Sequence, residues 1–149
     1  MYRMARLTQL PAMIYGAKVN WQHRLYRRRL ARQTIEVPTD RIALSYGPGI
    51  GDELRQGNNL TGGKVKLTYL HQRYPHDGTR FNILYLVSSA LPCHSAELVR
   101  WARNQGVKIV LNQNGVAYPA WTSDHVAINT ELATVLTQAD LVIYQSQFC

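Results

Sequence analysis

The sequence has little cysteine, and it lacks the long apolar runs that mark membrane-spanning proteins. Its two cysteines, Cys93 and Cys149, are too few for a disulfide framework and are not spaced as metal ligands, which fits a reducing cytoplasmic compartment. No run approaches the ~18 apolar residues of a membrane span. Near the N-terminus, Gln9, Pro11 and Gly16 interrupt the apolar residues before they reach the length of a signal peptide. We therefore expect a soluble or peripheral cytoplasmic protein.

Negative charge is absent from the first part of the chain. Residues 1–32 contain eight of the seventeen Lys and Arg residues and no Asp or Glu, which leaves nine basic residues against nine acidic ones in the remainder. The net charge of +8 therefore describes an N-terminal arm, which we place at residues 1–40. The domain that follows, at residues 41–149, is expected to be close to neutral.

The basic arm has two interpretations. It can be a solvated helix whose arginines bring solubility, or a basic amphipathic helix at 23–32 that touches anionic lipid at the inner face of a membrane with Leu25, Tyr26 and Leu30 on one side. Nucleic acid is a poorer partner, because the domain has no basic stripe interleaved with aromatic side chains.

Apolar runs alternate with helical patterns over the domain. The expected strands are 41–46, 81–88, 107–111 and 141–144, and the expected helices are 95–105 and 124–139. Strands that alternate with helices across short junctions indicate βαβ units. The fold class is therefore α/β, with a Rossmann-like parallel sheet and flanking helices.

The segment between the first two strands is harder to assign. Residues 47–63 hold six of the ten glycines and predict a flexible loop. Residues 64–74 fit a strand by the alternation of their apolar side chains and a helix by their spacing of three and four residues. We favour the helix, because two parallel strands need a crossover between them.

Gly62 and Gly63 are the first candidate site, since ligands of an open parallel sheet bind outside the carboxyl ends of the strands. Glycines let the backbone approach a phosphate closely, and the helix that follows has Lys64 and Lys66 in its first turn. A plain mobile turn would have the same sequence. No Walker or G-x-G-x-x-G motif is present, which also disfavours a dinucleotide-dependent oxidoreductase.

The loop after the third strand is the second candidate site. Amide side chains can bond hydroxyl groups in both directions, and aromatic faces stack on the apolar face of a sugar ring. The candidate sugar-binding residues are Asn112, Asn114, Tyr118 and Trp121. The alternative is an ordinary Asn-Gly turn with Trp121 in the core.

Catalytic motifs are missing from the sequence. There is no assignable Ser/His/Asp set, no HExxH and no Cys/His metal spacing, and His94 is better explained as a residue at the start of a helix. No catalytic residue, metal site or cofactor is predicted.

The order of these segments resembles the N-terminal domain of glycosyltransferase family 4. The resemblance covers roughly residues 41–149, and its segments are the Gly-Gly loop that opens a helix, the strand from Ile83, the stretch from Lys108 to Gly115 and the stretch from Ala139 to Phe148. It implies the N-terminal half of a GT-B fold, in which this domain receives the acceptor and a C-terminal domain, expected to be missing from this fragment, grips the nucleotide-sugar.

The resemblance also implies roles for particular residues. Gly62 and Gly63 would approach the donor diphosphate, and Ser146 would be the serine of the stretch that ends the domain. Asn114 stands where many members have a histidine, and because an amide cannot carry a proton, the resemblance implies only a sugar-positioning role for it. The expected partners are a nucleotide-sugar as co-substrate and a sugar or glycan acceptor. A non-catalytic Rossmann-like binding module is the alternative.

Overall fold

Four parallel strands form a single sheet in the order β1-β2-β3-β4. The structure is a computed structural model, and it describes residues 21–57 and 62–146. The elements in chain order are β1 (Leu44–Ser45), α1 (Ile50–Arg55), α2 (Lys64–Arg73), β2 (Ile83–Val87), a 3-10 turn (Ser88–Ala90), α3 (Ser95–Asn104), β3 (Lys108–Gln113), α4 (His125–Gln138) and β4 (Leu141–Tyr144). The predicted α/β class with a Rossmann-like parallel sheet is confirmed.

The centre of the sheet is the pair β2 and β3. Their register runs from Ile83 opposite Lys108 to Val87 opposite Asn112, so both strands reach the same edge with their carboxyl ends. β1 and β4 complete the two sides.

Each face of the sheet is covered by two helices. Leu44 and Tyr46 share one face with Ile83, Tyr85 and Val87, and the buried residues of α1 and α2 pack on this face. The alternate side chains of the central strands point the other way, and α3 and α4 pack against β3 there. These fully or almost fully buried strand residues are Leu84, Leu86, Ile109 and Leu111, and their counterparts on the helices are Val99, Ala102, Leu132 and Val135. Burial on both faces is why the strands are continuous apolar runs.

The region between the first two strands contains both a confirmed and a wrong prediction. The helical spacing of residues 64–74 is confirmed by α2. The prediction of a loop throughout 47–63 is wrong, because Ile50–Arg55 is helical and buries Ile50 and Leu54. One turn and a half of helix is too short for its periodicity to stand out among glycines. Residues 58–61 of the predicted loop lie outside the described residues.

The N-terminal unit is Met1–Gln33, and the α/β unit is Thr34–Cys149. Residues 34–40, which the charge distribution assigned to the arm, lie within the α/β unit. There the backbone of Glu36 accepts a hydrogen bond from the Phe81 amide and donates one to the Thr79 carbonyl, and its carboxylate pairs with Arg80 at 2.9 Å. Among the described helices, none combines the length and the apolar composition that crossing a bilayer requires.

Candidate functional site

The candidate site begins where β2 and β3 end side by side. Ser88 and Ser89 follow β2, and Asn114 follows β3. The Asn114 carboxamide oxygen accepts hydrogen bonds from Ser88 Oγ at 2.7 Å and from the Ser89 amide at 3.1 Å, while its Nδ2 donates to Ser89 Oγ at 2.8 Å. The backbone amide of Asn114 donates to Ser88 Oγ at 3.0 Å. We call Ser88, Ser89 and Asn114 the Ser-Asn cluster.

The cluster satisfies the Asn114 side-chain amide only in part. Its oxygen and one of its two Nδ2 hydrogens are bonded within the cluster. The remaining Nδ2 hydrogen and the Ser89 hydroxyl hydrogen have no partner among the described residues and are available as donors. The cluster can therefore donate hydrogen bonds to a hydroxyl-rich ligand from a rigid position.

Gly63 lies against the same cluster. A Cβ built on Gly63 would lie 2.1 Å from Ser89 Oγ and 3.4 Å from Asn114 Nδ2. Gly63 occupies the N-cap position of α2, where no side chain caps the helix, and Gly62 before it has a φ of 61°. The N-terminal end of α2 thus lies close to the Ser-Asn cluster.

Replacing Gly63 with alanine is expected to lower the free energy of unfolding by about 2 kcal/mol, since the new methyl group would collide with Ser89 and lie 3.0 Å from Val87 Cγ1. Turning Ser89 away would break its bond with Asn114. Urea denaturation measures the effect. Gly78→Ala is the control, because the nearest atom to its Cβ is 3.6 Å away. Equal urea midpoints of unfolding for Gly63→Ala and Gly78→Ala would contradict the close approach of Gly63 to Ser89.

A cavity of about 280 Å³ adjoins the cluster, which is close to the lower size limit of small-molecule sites. Tyr118 and Trp121 line it and are 58% and 53% exposed, so neither ring is part of the core. Ile128 and Leu132 of α4 line another part of it. The cavity therefore combines hydrogen-bond donors, aromatic surfaces and an aliphatic wall.

The loop that carries the aromatic residues is held by α4. Asn129 clamps the backbone of Ala117, whose amide donates to Asn129 Oδ1 at 2.9 Å and whose carbonyl accepts from Nδ2 at 2.8 Å. The buried Gln113 donates through Nε2 to the Gly115 carbonyl at 3.0 Å. These bonds define the path of the loop on both sides of Val116.

Charge is scarce around the cavity. Of the described residues that line it, none has a carboxylate, an imidazole or a basic side chain. The nearby lysines of α2 are engaged elsewhere, since Lys64 pairs with Glu53 and Lys66 donates to Gln145 Oε1 at 2.7 Å. The cavity fits a neutral ligand, and Tyr118 is the one ionisable side chain among the described residues that line it.

Four predicted site residues do not line the cavity: Gly62 and Gly63 lie at the start of α2, with Gly63 against the Ser-Asn cluster, and the other two are Asn112 and Ser146. Asn112 lies within β3 and donates through Nδ2 to the Tyr85 hydroxyl at 3.1 Å, while its buried Oδ1 has no hydrogen-bond partner among the described residues. Ser146 follows β4 at the side of the sheet and is exposed. The structure thus gathers Gly63, Asn114, Tyr118 and Trp121 and leaves Asn112 and Ser146 apart.

Ser88, Ser89 and Asn129 are not among the predicted site residues. Asn129 interrupts an otherwise apolar helical stripe, and a polar residue at such a position was the available indication that α4 bonds to something beside it. No protein-family model, curated protein or solved structure matches this chain.

Proposed function

We propose that the α/β unit is the acceptor-side domain of a nucleotide-sugar-dependent glycosyltransferase of the GT-B type. The observation that supports this most is the cavity in which the Ser-Asn cluster meets two exposed aromatic rings at the carboxyl edge of the central strands. Amide and hydroxyl donors bond the hydroxyl groups of a sugar, and aromatic rings stack on its apolar face. The location is cytoplasmic in this proposal, which the exposed free thiol of Cys93 suits.

In this proposal, different residues bind the acceptor and the donor. The acceptor sugar would stack on Trp121 and Tyr118 and accept hydrogen bonds from Asn114 and Ser89, which orients one of its hydroxyl groups for attack. The donor diphosphate would approach Gly62 and Gly63, where the amides at the start of α2 stabilise negative charge. Asn114 positions and transfers no proton, so the main grip on the nucleotide-sugar, and any acid–base group, would come from a second domain.

A non-catalytic sugar-binding module is the second candidate. It is favoured by the absence of ionisable side chains among the described residues that line the cavity, apart from the tyrosine. The two candidates differ at Gly62 and Gly63, since only the transferase needs a diphosphate there.

Trp121→Ala is expected to weaken the binding of a methyl pyranoside by about fivefold to tenfold, because it removes one stacking face. Ligand-detected NMR on the purified chain measures the affinity for a panel of such pyranosides. Trp121 is half exposed, so the variant should unfold at the wild-type urea concentration. Tyr69→Ala, an exposed aromatic residue on α2, is the matched control. A failure of every pyranoside to bind the wild-type chain would reject both candidates.

A titration with nucleoside diphosphates separates the two candidates. For the transferase, the diphosphates of uridine, guanosine and adenosine should include at least one that shifts the amide resonances of Gly62 and Gly63. The purified chain should nevertheless show no sugar transfer, because the main donor grip is expected elsewhere. Pyranoside binding with no response to any diphosphate would favour the binding module.

A further inference from the structure

The helix at residues 21–31 exposes an aromatic and an aliphatic side chain among arginines. Trp21 is 61% exposed and Leu25 is 41% exposed. They lie one turn apart, and at 100° per residue Arg28 continues the same stripe, while Arg32 follows in the turn directly after the helix. Arg24 and Arg29 flank it and are also exposed. We call the stripe of Trp21, Leu25, Arg28 and Arg32 the arm face.

The arm face differs from the apolar side that the sequence predicted. Tyr26 and Leu30 were expected to stand beside Leu25, but Leu30 is buried and Tyr26 is half-buried. The reason is helical geometry, because Tyr26 and Leu30 are rotated by 100° and 140° from Leu25 about the helix axis. The exposed surface is consequently formed by Trp21 and Leu25, with arginines on both flanks.

We infer that the arm face is a docking surface for an anionic lipid bilayer, with Trp21 and Leu25 entering the headgroup region and the arginines contacting lipid phosphates. Tryptophan suits this depth because its ring is largely apolar while its indole N–H can bond to water or headgroups. Arginines beside it add electrostatic attraction to anionic lipid. The inference does not depend on the proposed glycosyltransferase function.

The charge around the arm face points to the same partner. The chain has no acidic residue before Glu36, so no carboxylate on the helix competes with lipid phosphates for the arginines. A nucleic acid would also bind arginines, but a bilayer additionally accounts for an exposed leucine next to a tryptophan, since apolar side chains gain by leaving water at a membrane interface.

Vesicle sedimentation of the full chain tests the docking surface. Wild-type protein should bind vesicles of phosphatidylcholine with phosphatidylserine, release them at high salt and ignore pure phosphatidylcholine. Trp21→Ser/Leu25→Ser is expected to weaken binding by about tenfold or more, through lost apolar burial. Tyr69→Ser/Val126→Ser is the matched control, because it removes two exposed apolar side chains from α2 and α4 and should bind as wild type does.

A second pair of variants isolates the position of the charge. Arg28→Gln/Arg32→Gln should weaken vesicle binding by about tenfold, at roughly 1 kcal/mol for each arginine near the surface. Arg41→Gln/Arg73→Gln makes the same change in net charge within the α/β unit and should have little effect. In addition, Trp21 fluorescence should shift to the blue when vesicles are added, and Trp21→Ser should abolish that shift.

Three results would overturn the inference. One is equal vesicle binding by the arm-face variants and their matched controls. Another is a wild-type protein that ignores anionic vesicles yet binds an oligonucleotide in a manner that depends on Arg28 and Arg32 but not on Leu25. The third is an unchanged Trp21 emission at saturating anionic vesicle, which would place the ring in water. If circular dichroism shows that Trp21→Ser/Leu25→Ser has lost helicity, the single variant Leu25→Ser replaces it in the sedimentation experiment.

Discussion

Replacing Gly51 with alanine is expected to lower the free energy of unfolding by about 3 kcal/mol, although this change inside a helix normally stabilises a protein by about 1 kcal/mol. Gly51 lies in α1, and a Cβ built on it would stand 2.1 Å from Nε2 and 2.2 Å from Cδ2 of His76. Both distances are far inside van der Waals contact, so either the helix or the imidazole ring has to move.

The imidazole ring of His76 has little freedom to move. Its Nδ1 accepts a hydrogen bond from the backbone amide of Tyr46 at 3.1 Å, and its ring stacks on the Tyr46 ring with centroids 6.0 Å apart. The backbone amide of His76 in turn donates to His71 Nδ1 at 3.0 Å. Displacing the ring would leave the Tyr46 amide buried without a partner, which costs further free energy.

Chemical denaturation of Gly51→Ala, with Gly78→Ala as the control, measures this effect. A double-mutant cycle shows whether the destabilisation comes from contact with the His76 ring. In a His76→Ala background the ring is absent, so Gly51→Ala should lower the free energy of unfolding far less than it does in the wild type. A Gly51→Ala variant as stable as the wild type would show that α1 does not pack on His76 in this way.

The second large expected effect is a loss of stability between pH 6.5 and about 4 that depends on His76. Burial, followed by the nearby charge of Arg55, lowers the pKa of His76 to about 4. Because Nδ1 accepts the Tyr46 amide, the folded ring is neutral and carries its hydrogen on Nε2.

The direction of this pH dependence follows from proton uptake. In the unfolded chain His76 binds a proton near pH 6.5, whereas in the folded chain it does so only near pH 4. Between these values the unfolded state holds more protons, so the free energy of unfolding decreases as the pH falls, and it changes no further on this account below about pH 4. The full effect is on the order of 2–3 kcal/mol.

His76→Asn is the variant that measures this contribution. The asparagine oxygen can still accept the Tyr46 amide but does not titrate, so the difference in stability between wild type and variant should shrink as the pH falls from 7 to 4. Other titrating groups are common to both proteins and cancel in the difference. A difference that stays constant over this range would contradict a neutral, buried His76.

Gly51 and His76 are connected to the candidate site through β1. The Asp77 amide donates to the Leu44 carbonyl at 3.0 Å, and the Tyr46 hydroxyl donates to the Tyr74 carbonyl at 2.7 Å. Together with the His76 bond, they tie the short strand β1 to the chain that follows α2. Helix α2, whose N-cap is Gly63, is therefore followed directly by the segment that anchors β1.

Much of the fold was predictable because its causes are local. Continuous apolar runs predicted the four strands, and the spacing of Leu98, Trp101 and Ala102 predicted α3, which is followed by Gly106 with a φ of 84°. The segment after β1 and the loop after β3 could be chosen as candidate sites because parallel strands end at one edge. Helix α1 was missed, because two apolar residues among glycines carry too little periodicity.

The sequence by itself determined the four strands, all the helices of the α/β unit except α1, and the loops that reach the carboxyl edge of the sheet, because continuous apolar runs and a period of 3.6 residues can be recognised within a short window. Only the tertiary structure decided that Gly63 meets Ser89 and Asn114, that Gly51 meets His76, and that Asn112 turns away to Tyr85. These contacts join residues distant in sequence. They depend on strand register and on the distance at which each helix packs, and neither quantity is encoded in a local pattern.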